Sequence, residues 1–143
     1  MNNKTTYTKE EQAANRKLLA DALESGRFKQ GEKFLCQKVD GNQLYCCLGV
    51  ACELAMENGV RLVKEEYDAY MNVFYYSGSN GQRITGVLPC EVKKWLGFTD
   101  NNGMFTNPLL DDQKMSLVDA NDSGSSFLEI AKMIREGKVR LEQ

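Results

Sequence analysis

The 143-residue sequence contains no histidine. That absence excludes Ser–His and Cys–His activation of a nucleophile, the usual general base near neutral pH, and every metal site built on imidazole. Any chemistry would have to rest on carboxylates, thiols, phenols or amines. An excess of one charge is missing as well: 18 basic against 20 acidic residues leave a net charge of −2, and the lysines and arginines are scattered. The basic stripe that binding to a phosphate backbone requires is therefore not there, so a nucleic-acid polymer is an unexpected partner. The dense acidity of a DNA mimic is missing too. Apolar runs are short. The longest, "YCCLGVAC" from Tyr45 to Cys52, cannot cross a bilayer, and the opening "MNNKTTYTKEE" holds no apolar segment, so neither membrane insertion nor secretion is expected. Five cysteines, an odd number, fit free thiols in a reducing cytoplasm.

What remains is an ordinary globular composition, 42% apolar and 27% charged, at a length suited to one domain spanning residues 1–143. Thr8 with Glu11 forms a capping box, and a helix is predicted to Glu24, with Ala14, Leu18 and Ala22 on one stripe and Leu19 and Leu23 beside it. Gly26 ends it, and "GRFKQG" reads as a loop. Asp40-Gly41 predicts a hairpin with a two-residue turn, which places Val39 opposite Asn42 and Cys36 opposite Tyr45. "LGVACELAMENG" is an apolar helix whose small residues imply a close neighbour. "VRLV", Met71 to Tyr76 and "RITGVL" are the next candidate strands. "LPCEVKKWLG" is a short helix with Pro89 at its first position. "FTDNNGMFTNPLLDDQK" reads as irregular, with residues 100–114 the candidate mobile loop. Ser116 caps one turn, "LVDAN", before a last helix from Phe127 to Arg135. The order predicts an α+β fold, with helices packed on a small antiparallel sheet.

Asp119, Asn121, Ser123 and Gly124 imitate the opening of a calcium loop. The eighth position from Asp119 is Ser126 and the twelfth is Ile130, where such a loop needs an apolar residue and a bidentate acid. Glu129 falls one residue short, which on a helix turns it about 100° away. Ser126 with Glu129 is instead a capping box before Phe127, Ile130, Ala131 and Ile134. A ligand alternative stands beside this one: a polar molecule held by Asn121 and Asp122, with Ser123 and Ser126 in the same turn. Asp122 disfavours an anion at that helix start.

Other groupings are weaker. Cys36, Cys46, Cys47, Cys52 and Cys90 show no zinc-ribbon spacing and read as small core residues, so no metal is expected. Cys90 follows Pro89 in a first helical turn, where the dipole lowers a thiol pKa, but no base is at hand and Glu91 opposes the effect. The acid pairs Glu65-Glu66 and Asp111-Asp112 read as solvated charge. Tyr67, Tyr70, Phe74, Tyr75 and Tyr76 exceed what one face of one strand can bury. They suit either a core and a subunit interface, giving a homo-oligomer, or a surface that stacks a nucleobase, with Arg61 or Arg83 reaching a phosphate.

Taken together, "ALESGRFKQG", "YCCLGVACELA", "LPCEVKKWLG" and "LVDANDSGSSFLEIAKMI" resemble a family of small, uncharacterised bacteriophage and prophage proteins. The matching positions are Tyr45 to Gly49, then Leu88, Pro89, Val92 and Trp95 to Gly97. Asn121 to Gly124, Ser126, Phe127, Ile130, Ala131 and Ile134 complete the set. Ala120 stands where leucine is usual, and Cys90 where a second proline is common. The resemblance implies a phage origin and no particular activity.

The expected function is thus non-enzymatic: an accessory, counter-defence protein in the host cytoplasm that sequesters a host small molecule, a nucleotide immune signal being one version. Tyr45, Tyr70, Phe74, Tyr76, Arg83, Asn121, Asp122, Ser123 and Ser126 are its candidate contacts, with no catalytic residue, metal or cofactor. The alternatives are an inhibitor that binds a host protein through the aromatic strand, and a histidine-independent hydrolase.

Overall fold

Helix α1, Lys9–Ser25, begins at Thr8, whose side chain accepts from Glu11 N while Glu11 caps it in return. The computed structural model describes residues 6–68, 72–106, 114–139 and 141. In α1 the predicted stripe is rotated: Leu18 is exposed, and Leu19, Ala20 and Leu23 carry the burial. The reason is polar. Gln12, Asn15 and Arg16 point inward and donate to the carbonyls of Lys94, Trp95 and Leu96 at 2.9, 2.9 and 2.7 Å. Those carbonyls end α3, Cys90–Leu96; that of Lys94 also receives the Gly97 amide at 3.2 Å, and those of Trp95 and Leu96 lie past the last donor of the helix. Pro89 is the residue before this helix rather than its first member, and Gly97 closes it at φ 76°.

Among the described residues the main sheet has six strands. β1, Lys29–Gln30, lies inside the segment predicted as a loop and runs parallel to β3, Asn42–Tyr45. β2, Cys36–Val39, pairs with β3 through the predicted two-residue turn, with Cys36 opposite Tyr45 and Val39 opposite Asn42. Asp40 and Gly41 both take positive φ, 50° and 80°, as the matching turn demands. β4, Val63–Asp68, starts where the predicted "VRLV" strand was to end and continues through the charged run. β5, Val73–Ser77, lies between β4 on one side and β2 and β6, Arg83–Ile84, on the other. Only two residues of the predicted "RITGVL" strand pair. A separate antiparallel pair, β7 Met104–Thr106 with β8 Lys114–Ser116, occupies part of the stretch read as irregular. Residues 107–113, with Asp111 and Asp112, lie outside the described residues, as do Tyr70 and Met71.

Helix α2, Cys47–Glu57, is the hub. Leu48, Val50, Ala51, Cys52, Leu54 and Ala55 are all buried. Its small residues are explained at Gly49, where an added methyl would stand 1.7 Å from the carbonyl oxygen of Leu35. α4, Leu117–Asp122, and α5, Phe127–Arg135, complete the helical layer. Every helix contributes to one apolar cluster against the face of the sheet that carries Cys36, Tyr45 and Tyr76. The fold is α+β, as its element order predicts. Among the described residues no helix is long and apolar enough to cross a membrane.

Candidate functional site

Lys64 occupies the second position of β4, opposite Tyr76 in the register, and so points to the core side of the sheet. Its ammonium lies 5.1, 5.0 and 5.7 Å from the ring centroids of Tyr45, Phe74 and Tyr76. It pairs with Glu53 of α2 at 3.1 Å and donates to Gln43 Oε1 at 2.8 Å and to Tyr45 Oη at 3.3 Å. Gln43 and Tyr45 belong to β3, three strands from β4. A flat sheet would set those strands roughly 14 Å apart, beyond comfortable reach of side chains standing upright on it. The side chains therefore lean toward one another across the core face and converge on the ammonium.

The acceptors are shared closely. Gln43 Oε1 also receives the Tyr45 hydroxyl at 2.7 Å and the Cys36 thiol at 3.6 Å. Tyr76 donates to Glu53 Oε2 at 2.7 Å. At the rim, Phe28 meets Tyr45 edge-on at 5.2 Å, and Arg27 lies over Phe28 while its guanidinium grips Glu57, one turn beyond Glu53. The Lys64 and Glu53 side chains keep 16% and 20% of their surface exposed, so this centre opens to solvent. Burial, then the charge of Glu53, pushes the Tyr45 phenol up. Burial does the same to Tyr76 and to the Cys36 thiol. Such groups hold their protons. The arrangement presents a cation, rings and fixed hydrogen-bond partners, and no activated nucleophile.

Of the residues singled out in the sequence, Tyr45, Phe74 and Tyr76 converge here. Lys64, Glu53 and Gln43 were missed. Reading "VKEEYD" as a strand would have found Lys64, because alternation puts Lys64 and Glu66 on one face and Val63, Glu65 and Tyr67 on the other.

Arg83 lies on the opposite face. Its guanidinium stacks over Tyr75 at 5.0 Å and lies 6.0 Å from Tyr67, whose ring meets Tyr75 edge-on at 5.8 Å. Both faces of β5 are covered within the chain: Tyr76 by the core, and Val73 and Tyr75, 3% and 8% exposed, outside it.

Asn121, the residue most suggestive of a ligand, is fully buried and put to internal use. Its Oδ1 accepts from Cys47 N at 3.1 Å and from Gln30 Nε2 at 3.0 Å, and its Nδ2 donates to the Gly31 carbonyl at 2.7 Å. Asp122 accepts from Lys33 N at 2.7 Å. Ser126 and Glu129 form the predicted capping box, and Ser123 donates to the Asp119 carbonyl. This turn fastens the chain to itself. Among the described residues no group of three or more cysteines and acids could hold a metal ion.

A family model described as Domain of unknown function (DUF8296) matches residues 11–138. No curated protein and no solved structure matches the chain.

Proposed function

We propose, for a chain that belongs to the family described as Domain of unknown function (DUF8296), a binding role without catalysis. The ligand is a small planar molecule with a polar edge, received at the mouth of the Lys64 centre. The carrying observation is one partly exposed ammonium flanked by three aromatic rings and held by Gln43 and Glu53. Rings supply stacking surface, and Gln43, Lys64 and Glu53 offer acceptor and donor edges, the chemistry by which a nucleobase is read. Both basic groups already face acids, Lys64 with Glu53 and Arg27 with Glu57. A ligand of low charge therefore fits better than a polyphosphate. Together with the phage-like sequence blocks, this supports sequestration of a host nucleotide-type signal, in the host cytoplasm, as counter-defence.

The test is retention. The protein is incubated with a panel of cyclic mono- and dinucleotides, freed of excess, denatured, and the released material identified by chromatography. Intact nucleotide at near-stoichiometric yield is expected, reduced at least about tenfold by Phe74→Ala or Lys64→Met, from the stacking and charge removed. Retention of none of the panel would overturn the small-molecule reading. Recovery of degraded product would overturn the non-catalytic one.

A further inference from the structure

Every buried apolar side chain among the described residues belongs to the core cluster except Val73 and Tyr75. These two sit on the outer face of the sheet, away from the helices. The same face carries three of the five large apolar side chains left exposed: Val39, Val63 and Tyr67, at 39%, 52% and 54%. Leu18 and Leu128, the other two, belong to α1 and α5. Val63 and Tyr67 lie on β4 beside Tyr75, and Val39 beyond the other end of β5, so apolar surface extends along this face, the kind that a partner covers.

Its charges identify the partner. Glu65 is directly opposite Tyr75 on β4, and accepts from its hydroxyl at 2.7 Å. Arg83 reaches the same ring from β6, on the other side of β5. Both are exposed, and neither has an ion-pair partner among the described residues. The row is thus an acid, an aromatic ring and a base. A two-fold axis through this row would set Arg83 of each copy against Glu65 of the other and bring the exposed Tyr67 and Val63 side chains into the contact, with Tyr75 buried beneath them. Self-complementarity of this kind is what an isologous interface requires.

We infer that the outer sheet face over Tyr75 is where two copies of this chain associate, through reciprocal Arg83–Glu65 pairs flanked by the exposed Tyr67 rings. The surface is distinct from the Lys64 centre and does not depend on the ligand proposed there.

The experiment is analytical ultracentrifugation of the full chain over a concentration series, with Arg83→Glu and Glu65→Arg. The parent chain should dimerise, and each variant should weaken association by about a hundredfold, since each replaces two attractions with two repulsions. An equimolar mixture of the two variants should recover the dimer, because one copy then presents two acids and the other two bases. Val63→Lys gives an independent loss. Urea midpoints within error of the parent show that all three variants fold. A parent chain that stays monomeric, variants that dimerise unchanged, or a mixture that fails to recover would each overturn the inference. A monomeric parent that instead retains a host protein through Tyr67 would give the face to that partner.

Discussion

Asn121 of α4 caps helix α2 from 74 residues away: its side-chain oxygen receives the amide of Cys47, the first residue of α2. The local position for this task, Cys46, offers no side-chain bond. Three segments far apart in sequence, at Gln30–Gly31, Cys47 and Asn121, thus meet on one buried amide.

Asn121→Ala leaves the buried Cys47 amide and the half-buried Gly31 carbonyl without these partners, while Gln30 Nε2 keeps its bond to the Ser125 carbonyl. The expected loss is about 3 kcal/mol or more, at roughly 1–3 for each orphaned group, read as a fall in urea midpoint. Asn121→Asp keeps the acceptor for Cys47 N but turns an oxygen toward the Gly31 carbonyl. It should also destabilise, and less so at acid pH, where a protonated carboxyl can donate there.

Gly49→Ala tests the closest approach in the core. A methyl at 1.7 Å from the Leu35 carbonyl cannot be accommodated by rotating a side chain, because the obstacle is backbone. Destabilisation of about 3 kcal/mol, or failure to accumulate as folded protein, is expected. A variant as stable as the parent would show that the Leu35 segment does not pack on α2.

Alkaline pH should unfold the protein by way of its thiols. Burial pushes Cys46 up to about 11 from an ordinary value near 9, and raises Cys47 and Cys52 well above that ordinary value too. The folded state keeps the proton that the unfolded chain releases. Stability is therefore complete below about pH 9 and declines as pH rises toward 11, by about 2–3 kcal/mol from Cys46 alone. Urea titrations at pH 8 and 10.5 measure it, and Cys46→Ala should reduce the slope. At pH 8 a thiol reagent should modify Cys90 rapidly, the one cysteine that is not buried, and the other four only in denaturant.

The Lys64–Glu53 pair should show strong coupling. Lys64→Met strands a largely buried carboxylate and should cost about 3 kcal/mol, whereas Lys64→Met with Glu53→Gln should recover much of that loss. A double-mutant cycle by urea denaturation gives the coupling directly. Additive effects would mean that the ion pair is loose and solvated.

Local chemistry was legible in the sequence, and distant reciprocity was not. The capping boxes at Thr8 and Ser126 and the Asp40-Gly41 register are visible because all their partners lie within ten residues. Asn121 reads in the sequence as turn chemistry or a ligand contact, but its partners are Gln30, Gly31 and Cys47, 74 to 91 positions away. β4 was misplaced because its core-facing positions are Lys64 and Glu66, which erases the apolar alternation that normally announces a strand. β1, at two residues, carries no period at all. Lys64 escaped notice for the same reason as its strand: a lysine among acids looks solvated until the rings around it are known.

Helix α3 is a borrowed structure. At seven residues it is too short to persist unaided, and its last three carbonyls accept from Gln12, Asn15 and Arg16 of α1, that of Lys94 sharing the task with the Gly97 amide. During synthesis α1 leaves the ribosome some 80 residues before the α3 carbonyls that it closes. A chain that began after Ser25 would forfeit both helices, and with α3 the anchoring of Trp95 and Leu96 in the interior.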